Sequence, residues 1–160
     1  MIKQITVLSL EDMLKHVPVE PTVMISIGNS FEAECLPFQH ALLFTDVLPL
    51  KFEDCTEDFY NDRGECIARP MSPIQAMAAI RFTNDWHIDK ALEVNMIVHC
   101  AAGVSRSPGV AVSLHKIFNI PVTCPPEIVR FSEDPQDWFR HHNRRVFSIM
   151  RNVAHRLDFI

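Results

Sequence analysis

The stretch from Ile97 to Val112, IVHCAAGVSRSPGVAV, decides how this chain is read. A short apolar run ends on His99 and Cys100. Small residues follow: Ala101, Ala102 and Gly103, then Val104 and Ser105. Arg106 and Ser107 open a second run, in which Val110, Leu114, Ile117 and Phe118 recur at helical spacing. A strand therefore delivers Cys100 to the edge of a sheet, and a helix begins near Arg106 or Ser107. The backbone N–H groups of a loop that curls into a helix N-terminus converge on one point, and the helix dipole adds positive potential there. Gly103 allows a backbone conformation closed to most residues. Ala101 and Ala102 keep side chains out of the way. Such a loop cradles an anion of the phosphate type, and Arg106 can fork onto two of its oxygens. The same surroundings favour a thiolate at Cys100, because thiol pKa values fall at helix N-termini and beside cations.

The rest of the chain sets the bounds. Its 160 residues correspond to one ordinary domain, residues 1–160. Apolar residues make up 48% and charged residues 22%, so a core can form without disulfides or metals. The net charge of −5 argues against nucleic acid or an anionic membrane as partner, since both demand a basic face. The five cysteines, Cys35, Cys55, Cys66, Cys100 and Cys124, are odd in number and form no CxxC pair. The first residues lack the apolar core of a signal peptide, and no run is long enough to span a bilayer. Free thiols in a reducing cytoplasm are expected.

Working outward, KQITVLSL predicts a first strand and SLEDMLKHV a short helix capped by Ser9. TVMISIGN predicts a second strand ended by the Gly28-Asn29 turn. HALLFTDVLPLKFED holds one or two short strands, limited by Pro49. CTEDFYNDRGECIARP is polar and reads as a loop. MSPIQAMAAIRFTNDWHI predicts a helix with Ser72 as cap, Pro73 in the first turn, and Ile74, Met77, Ala78 and Phe82 on one face. LEVNMIVHC is a buried strand. PPEIVRF and DPQDWFRHHNRRVFSIMRNVAHRL supply one or two further helices. Strands alternating with helices imply an α/β fold, a mainly parallel central sheet flanked by helices, with ligands beyond the carboxyl ends of the strands.

HCAAGVSRS resembles the signature loop of the cysteine-dependent protein tyrosine phosphatase superfamily: His, Cys, five residues, Arg, then Ser or Thr. Within it the loop looks most like the dual-specificity type. LKFED (Leu50–Asp54) and NRRV (Asn143–Val146) resemble flanking segments of a small bacterial or phage-like branch, so the likeness runs from about Leu42 to Ile149. It implies a layered phosphatase-like domain that hydrolyses phosphotyrosine, with or without phosphoserine and phosphothreonine, in a phosphorylated protein or peptide. It implies a phosphocysteine on Cys100. Arg106 and the loop from Ala101 through Ala102, Gly103, Val104 and Ser105 would hold the phosphate or another oxyanion. Ser107 would hydrogen-bond the sulfur and ease its departure. His99 would orient the loop from behind, and Asn143 occupies a family position near it. No cofactor and no metal are implied.

The general acid that protonates the leaving group is assigned to Asp54 on this likeness. It lies 46 positions before Cys100, farther than is usual in the dual-specificity type, and the surplus is the polar stretch after Cys55. Asp58 and Asp62 in that stretch are alternatives, Asp85 is a weaker one, and Asp46 comes last. Cys55, beside the acid, is either an inert thiol or a partner for an oxidised Cys100. Trp86 and Trp138 fit core or rim positions. The His141-His142 pair lacks the spacing of metal ligands. Two other functions compete: a phosphatase of a non-protein ester, disfavoured by the neutral loop residues, and a non-catalytic phosphoresidue binder, which needs a defect outside Cys100 and Arg106. A sulfur-transferring rhodanese would have a loop one residue shorter.

Overall fold

A computed structural model describes residues 1–32, 38–88, 91–124 and 143–160. Among these residues, seven strands and five helices follow one another: β1 (Ile2–Ser9), α1 (Leu10–Lys15), β2 (Thr22–Gly28), α2 (Phe38–Ala41), β3 (Asp46–Lys51), β4 (Phe59–Tyr60), β5 (Cys66–Ala68), α3 (Pro73–Ile88), β6 (Val94–Cys100), α4 (Arg106–Phe118), β7 (Val122–Thr123) and α5 (Arg144–Arg156). Five strands form a sheet in the order β3-β2-β6-β1-β7, and every pairing in it is parallel.

The central strands are buried on both faces, as parallel strands under helical cover must be. All seven residues of β2 are buried, and all of β6 except Asn95. Alternation along the strands sorts the two faces. Ile5, Val7, Val23, Ile25, Ile27, Met96, Val98 and Cys100 join the larger core, with residues of α3, α4 and α5. Met24 and Ile97 point the other way, into a smaller cluster with Met13 of α1 and Phe44. A fully buried aliphatic side chain contributes about 1.5–3 kcal/mol, so this burial is what fixes the strand register. Pro49 pairs opposite Ser26 within β3, an edge strand, where a missing N–H is tolerated.

The register brings four strand ends to one edge of the sheet. Ser9 pairs with Cys100, Ser26 with His99, and Gly28 with Lys51. Helix α4 leaves from that edge and packs so closely on α5 that a Cβ at Gly109 would come within 3.3 Å of the Val146 side chain. Asn119 ends α4 in the left-handed region at φ 57°, its N–H donating to His115 O at 2.7 Å.

Two local expectations are corrected. CTEDFYNDRGECIARP is not simply loop: β4 and β5 pair antiparallel in a small hairpin. The pairing is carried by two strands too short to show an alternating pattern. The buried face of α3 is Ala76, Ala79, Ile80 and Thr83, whereas Ile74 is 73% exposed and Met77, Ala78 and Phe82 pack only on the margin of the core. Two small alanines lie on the buried face, and larger side chains sit on its flanks. The Ser72 cap holds: Ser72 Oγ accepts from Gln75 N, and Gln75 Oε1 accepts from Ser72 N, a reciprocal capping box. The helix α2 lacked a sequence signal. The expectations for PPEIVRF, the first part of DPQDWFRHHNRRVFSIMRNVAHRL, Trp138, His141, His142 and Cys35 lie outside the described residues.

Candidate active site

Cys100 is the last residue of β6 and is 2% exposed. The backbone then turns through Ala101–Ser105 into α4. Gly103 sits at φ 73°, and a Cβ there would stand 2.8 Å from Ser9 N and 3.0 Å from Leu8 C and O. Glycine is thus required twice over, by its dihedral and by its approach to the end of β1. Leu10 N donates to Ala101 O at 3.1 Å, which ties the loop to the β1–α1 junction. Ser105 stands at the N-cap without a side-chain capping bond. Among the described residues, no backbone N–H from Ala101 to Arg106 donates to a backbone carbonyl. The first turn of a helix leaves such donors open unless something accepts from them. These open donors stand at the strand-to-helix turn where the sequence reading expects an anion cradle. Ser107, in the first turn of α4, is buried, and its Oγ donates to Cys100 Sγ at 3.1 Å.

Arg106 is 8% exposed, and its guanidinium lies against the ends of β2 and β3. Its Nη1 donates to Phe52 O at 2.8 Å, Asn29 Oδ1 at 3.0 Å and Gly28 O at 3.2 Å. Glu53 Oε2 stands 3.9 Å from the same nitrogen. The anchoring is itself braced. Asn29 donates from its backbone to Glu32 Oε2 at 2.9 Å and from its amide to Glu32 Oε1 at 2.6 Å. Ser30 N donates to Glu53 Oε1 at 2.9 Å. One end of the guanidinium is held by protein, while the Nε–Nη2 edge has no acceptor among the described residues, the arrangement a planar fork needs to meet an oxyanion. Asn29, Glu32 and Glu53 were not singled out by the sequence. In the sequence Gly28-Asn29 reads only as a turn, and Glu53 carries no signal of its own. A cavity of about 40 Å³ opens here, lined by Gly28, Asn29, Glu32, His99, Ala101 and Arg106 among others.

His99 is 1% exposed on the opposite face of β6 from Cys100, and its Nε2 lies 2.8 Å from Ser26 Oγ. Its Nδ1 is buried without a partner among the described residues. Burial pushes its pKa down to about 4, against a smaller opposing contribution from the Cys100 backbone. The ring is neutral near pH 7 and braces β6 against β2 immediately before the cysteine.

Asp54 and Asn143, named separately from the sequence, meet. Asn143 Nδ2 donates to Asp54 Oδ1 at 2.7 Å. The same side chain caps α5, its Oδ1 accepting from Val146 N at 3.0 Å. Asp54 thus follows directly on the residue that faces Arg106 and is steadied by the start of α5. The other carboxylates separate. Asp46 begins β3, at the opposite end of the sheet, and accepts from Trp86 Nε1 at 3.2 Å. Asp85, next to Trp86 near the end of α3, belongs to that distant end too. Asp58 precedes the hairpin and accepts weakly from Tyr60 Oη, and Asp62 is exposed at its turn.

Two other thiols are shifted away from the thiolate form. Burial first, then the charges of Glu53, Asp54 and Asp58 together with the Cys66 thiol, push the Cys55 pKa up. Burial alone pushes Cys124 up to about 12. Cys55, Cys66, Cys100 and Cys124 are all free. No cluster of three His, Cys, Asp or Glu suited to a metal occurs among the described residues, and none of their helices is long and apolar enough to cross a membrane.

A five-stranded parallel sheet with a cysteine at the end of its middle strand, followed by a short loop and a helix, is a protein tyrosine phosphatase-like fold. Among solved structures, the chain is similar to the crystal structure of Tk-PTP in the active form. The TM-score is 0.55, with 96% of this chain and 92% of that chain covered at 12% identity. At that identity the likeness is one of fold. No protein-family model and no curated protein matches the chain.

Proposed function

We propose that this protein is a cysteine-dependent phosphatase of the dual-specificity type, hydrolysing phosphotyrosine, with phosphoserine and phosphothreonine, in cytoplasmic phosphoproteins. The observation that carries the reading is the Ser107 Oγ to Cys100 Sγ hydrogen bond of 3.1 Å across the strand-to-helix turn, with Arg106 anchored to Phe52 O. A phosphate in the loop would accept from the N–H groups of Ala101–Arg106 and from the Nε–Nη2 edge of Arg106. Cys100 Sγ then attacks phosphorus while the bond to the leaving oxygen breaks. The proton carried by Asp54 goes to that oxygen. In the second step Asp54 takes a proton from water, the water oxygen bonds to phosphorus, and the P–S bond breaks with its electron pair returning to sulfur. Ser107 stabilises the departing sulfur by its hydrogen bond. The fixed donors match the equatorial oxygens as charge shifts, so they act without reorganising. Small residues at the rim, with Ala101 and Ala102 exposed, leave the cradle open to alkyl as well as aryl esters.

Acid quench of the protein during turnover of an aryl phosphate, followed by peptide mass analysis, tests the reading. A phosphate adduct on the Cys100 peptide, absent from the Cys55, Cys66 and Cys124 peptides, is the expected result. Turnover without any adduct on Cys100 would refute it.

A further inference from the structure

The residues that separate Asp54 from α3 build a hairpin that the chemistry above does not use. Its strands β4 and β5 expose Phe59, Tyr60 and Ile67 at 52%, 60% and 54%. None of the three belongs to either core cluster. The hairpin is held instead by polar groups in its turn. Asn61 Oδ1 accepts from Arg63 N and Glu65 N, both at 3.0 Å, and Asn61 Nδ2 donates to Glu65 Oε2 at 2.7 Å. Gly64 supplies the left-handed residue at φ 77°. Large apolar side chains that do not serve the fold, grouped on one exposed element, mark a contact surface.

That element is fastened to the rim of the cradle. Glu53 N donates to Arg69 O at 2.6 Å, and Arg69 N donates to Ser30 Oγ at 3.0 Å. Glu53 faces Arg106, and Ser30 N holds the Glu53 carboxylate. The Arg69 guanidinium lies 5.7 Å over the ring of Phe31, itself 58% exposed, and its Nε donates to Cys66 Sγ at 3.4 Å. The base of the hairpin is therefore tied through Arg69 to the segment that carries Asn29, Ser30 and Phe31. Its charge is acidic: the four carboxylates of Glu57, Asp58, Asp62 and Glu65 are exposed around it, against the two cations Arg63 and Arg69.

We propose that the β4–β5 hairpin receives the polypeptide flanking the phosphoresidue and selects a basic segment that also carries an apolar side chain. This rests on the phosphatase reading above. The carboxylates attract lysine and arginine and repel polyanionic substrates. Phe59, Tyr60 and Ile67 offer the apolar contact that a free phosphate ester lacks.

The experiment compares two phosphotyrosyl peptides of equal length, one flanked by Lys, Arg and Leu, the other by Asp, Glu and Leu, with an aryl phosphate as reference. Wild type, the double variant Phe59→Ala/Ile67→Ala and Glu57→Lys are assayed at low and high salt. Wild type should prefer the basic peptide by about tenfold in kcat/KM at low salt, less at high salt. Each variant should lower kcat/KM for the basic peptide by about fivefold, mainly through KM, and hold aryl phosphate hydrolysis within about twofold. Equal rates on both peptides, or a preference untouched by the variants while aryl phosphate is hydrolysed normally, would overturn the hairpin's role alone. No hydrolysis of aryl phosphate by wild type would remove the phosphatase reading and this inference with it.

Discussion

The loop from Cys100 to Arg106 and the hairpin from Glu53 to Arg69 stand side by side and are held by opposite means. The loop is locked by the main fold: a central buried strand precedes it, a buried helix turn follows it, and Gly103 is pressed against β1. The hairpin has no buried face and is held by side-chain hydrogen bonds at its turn and base. The two meet at Glu53, whose carboxylate faces Arg106 and whose N–H holds Arg69. The difference teaches where to expect rigidity and where to expect selectivity. Donors that must match a transition state sit on the rigid element, and groups that read the substrate's surroundings sit on the tolerant one.

Substitutions can break or sharpen this contrast. Arg106→Lys should strike hardest, since the planar fork is lost and three acceptors around Nη1 lose their geometry. A fall of about 10³-fold in kcat/KM on aryl phosphate is expected. A fall of less than about threefold would mean that the rigid loop does not grip substrate through this side chain.

The buried His99 gives the rigid side a pH signature. Its folded pKa of about 4 lies below the ordinary histidine value of 6.5. Between those values the unfolded chain binds more protons, so stability rises with pH across the window and is complete above it. Acidification from 6.5 to 4 should remove about 3 kcal/mol through this group. Urea melts of wild type and His99→Gln over that range check it: the variant's profile should be flatter, and parallel profiles would contradict the assignment.

Asp54→Asn tests the join between the two regions. Hydrolysis of esters with poor leaving groups should slow by about 10²-fold, and of activated aryl esters far less, because a good leaving group needs little proton assistance. Equal slowing of both would move the acid elsewhere. The smallest effect is expected from Asn143→Ala, which removes a helix cap and the Asp54 contact together. A loss of about 1 kcal/mol in stability is predicted, with a partial copy of the Asp54→Asn leaving-group pattern. Lost stability without that pattern would make Asn143 a cap only.

The same contrast explains what was legible in the sequence. Cys100, Gly103, Arg106 and Ser107 could be read because strand, loop and helix are contiguous, and local spacing dictates their geometry. The parallel sheet was legible for a similar reason: VMISIG and VNMIVHC are near-continuous buried runs. Glu53 and Asn29 were not, since their contacts with Arg106 span 53 and 77 positions and depend on how β2 and β3 end, and Glu32 acts only through Asn29. The hairpin was missed because its strands hold two and three residues, fewer than any periodicity needs. On α3 the apolar pattern suggested Ile74 as a core residue. The structure buries the alanines instead, because close approach to the neighbouring elements selects for small side chains.

The central claim is that Cys100 is the nucleophile of a phosphate-ester hydrolase. Hydrolysis of an aryl phosphate near pH 6, with chelator present, by reduced wild type and Cys100→Ser side by side, tests it most directly. The account predicts turnover by wild type, its loss in the variant, and retained affinity of the variant for inorganic phosphate. Equal turnover by both proteins, or none by wild type with the thiol shown to be reduced, would contradict it.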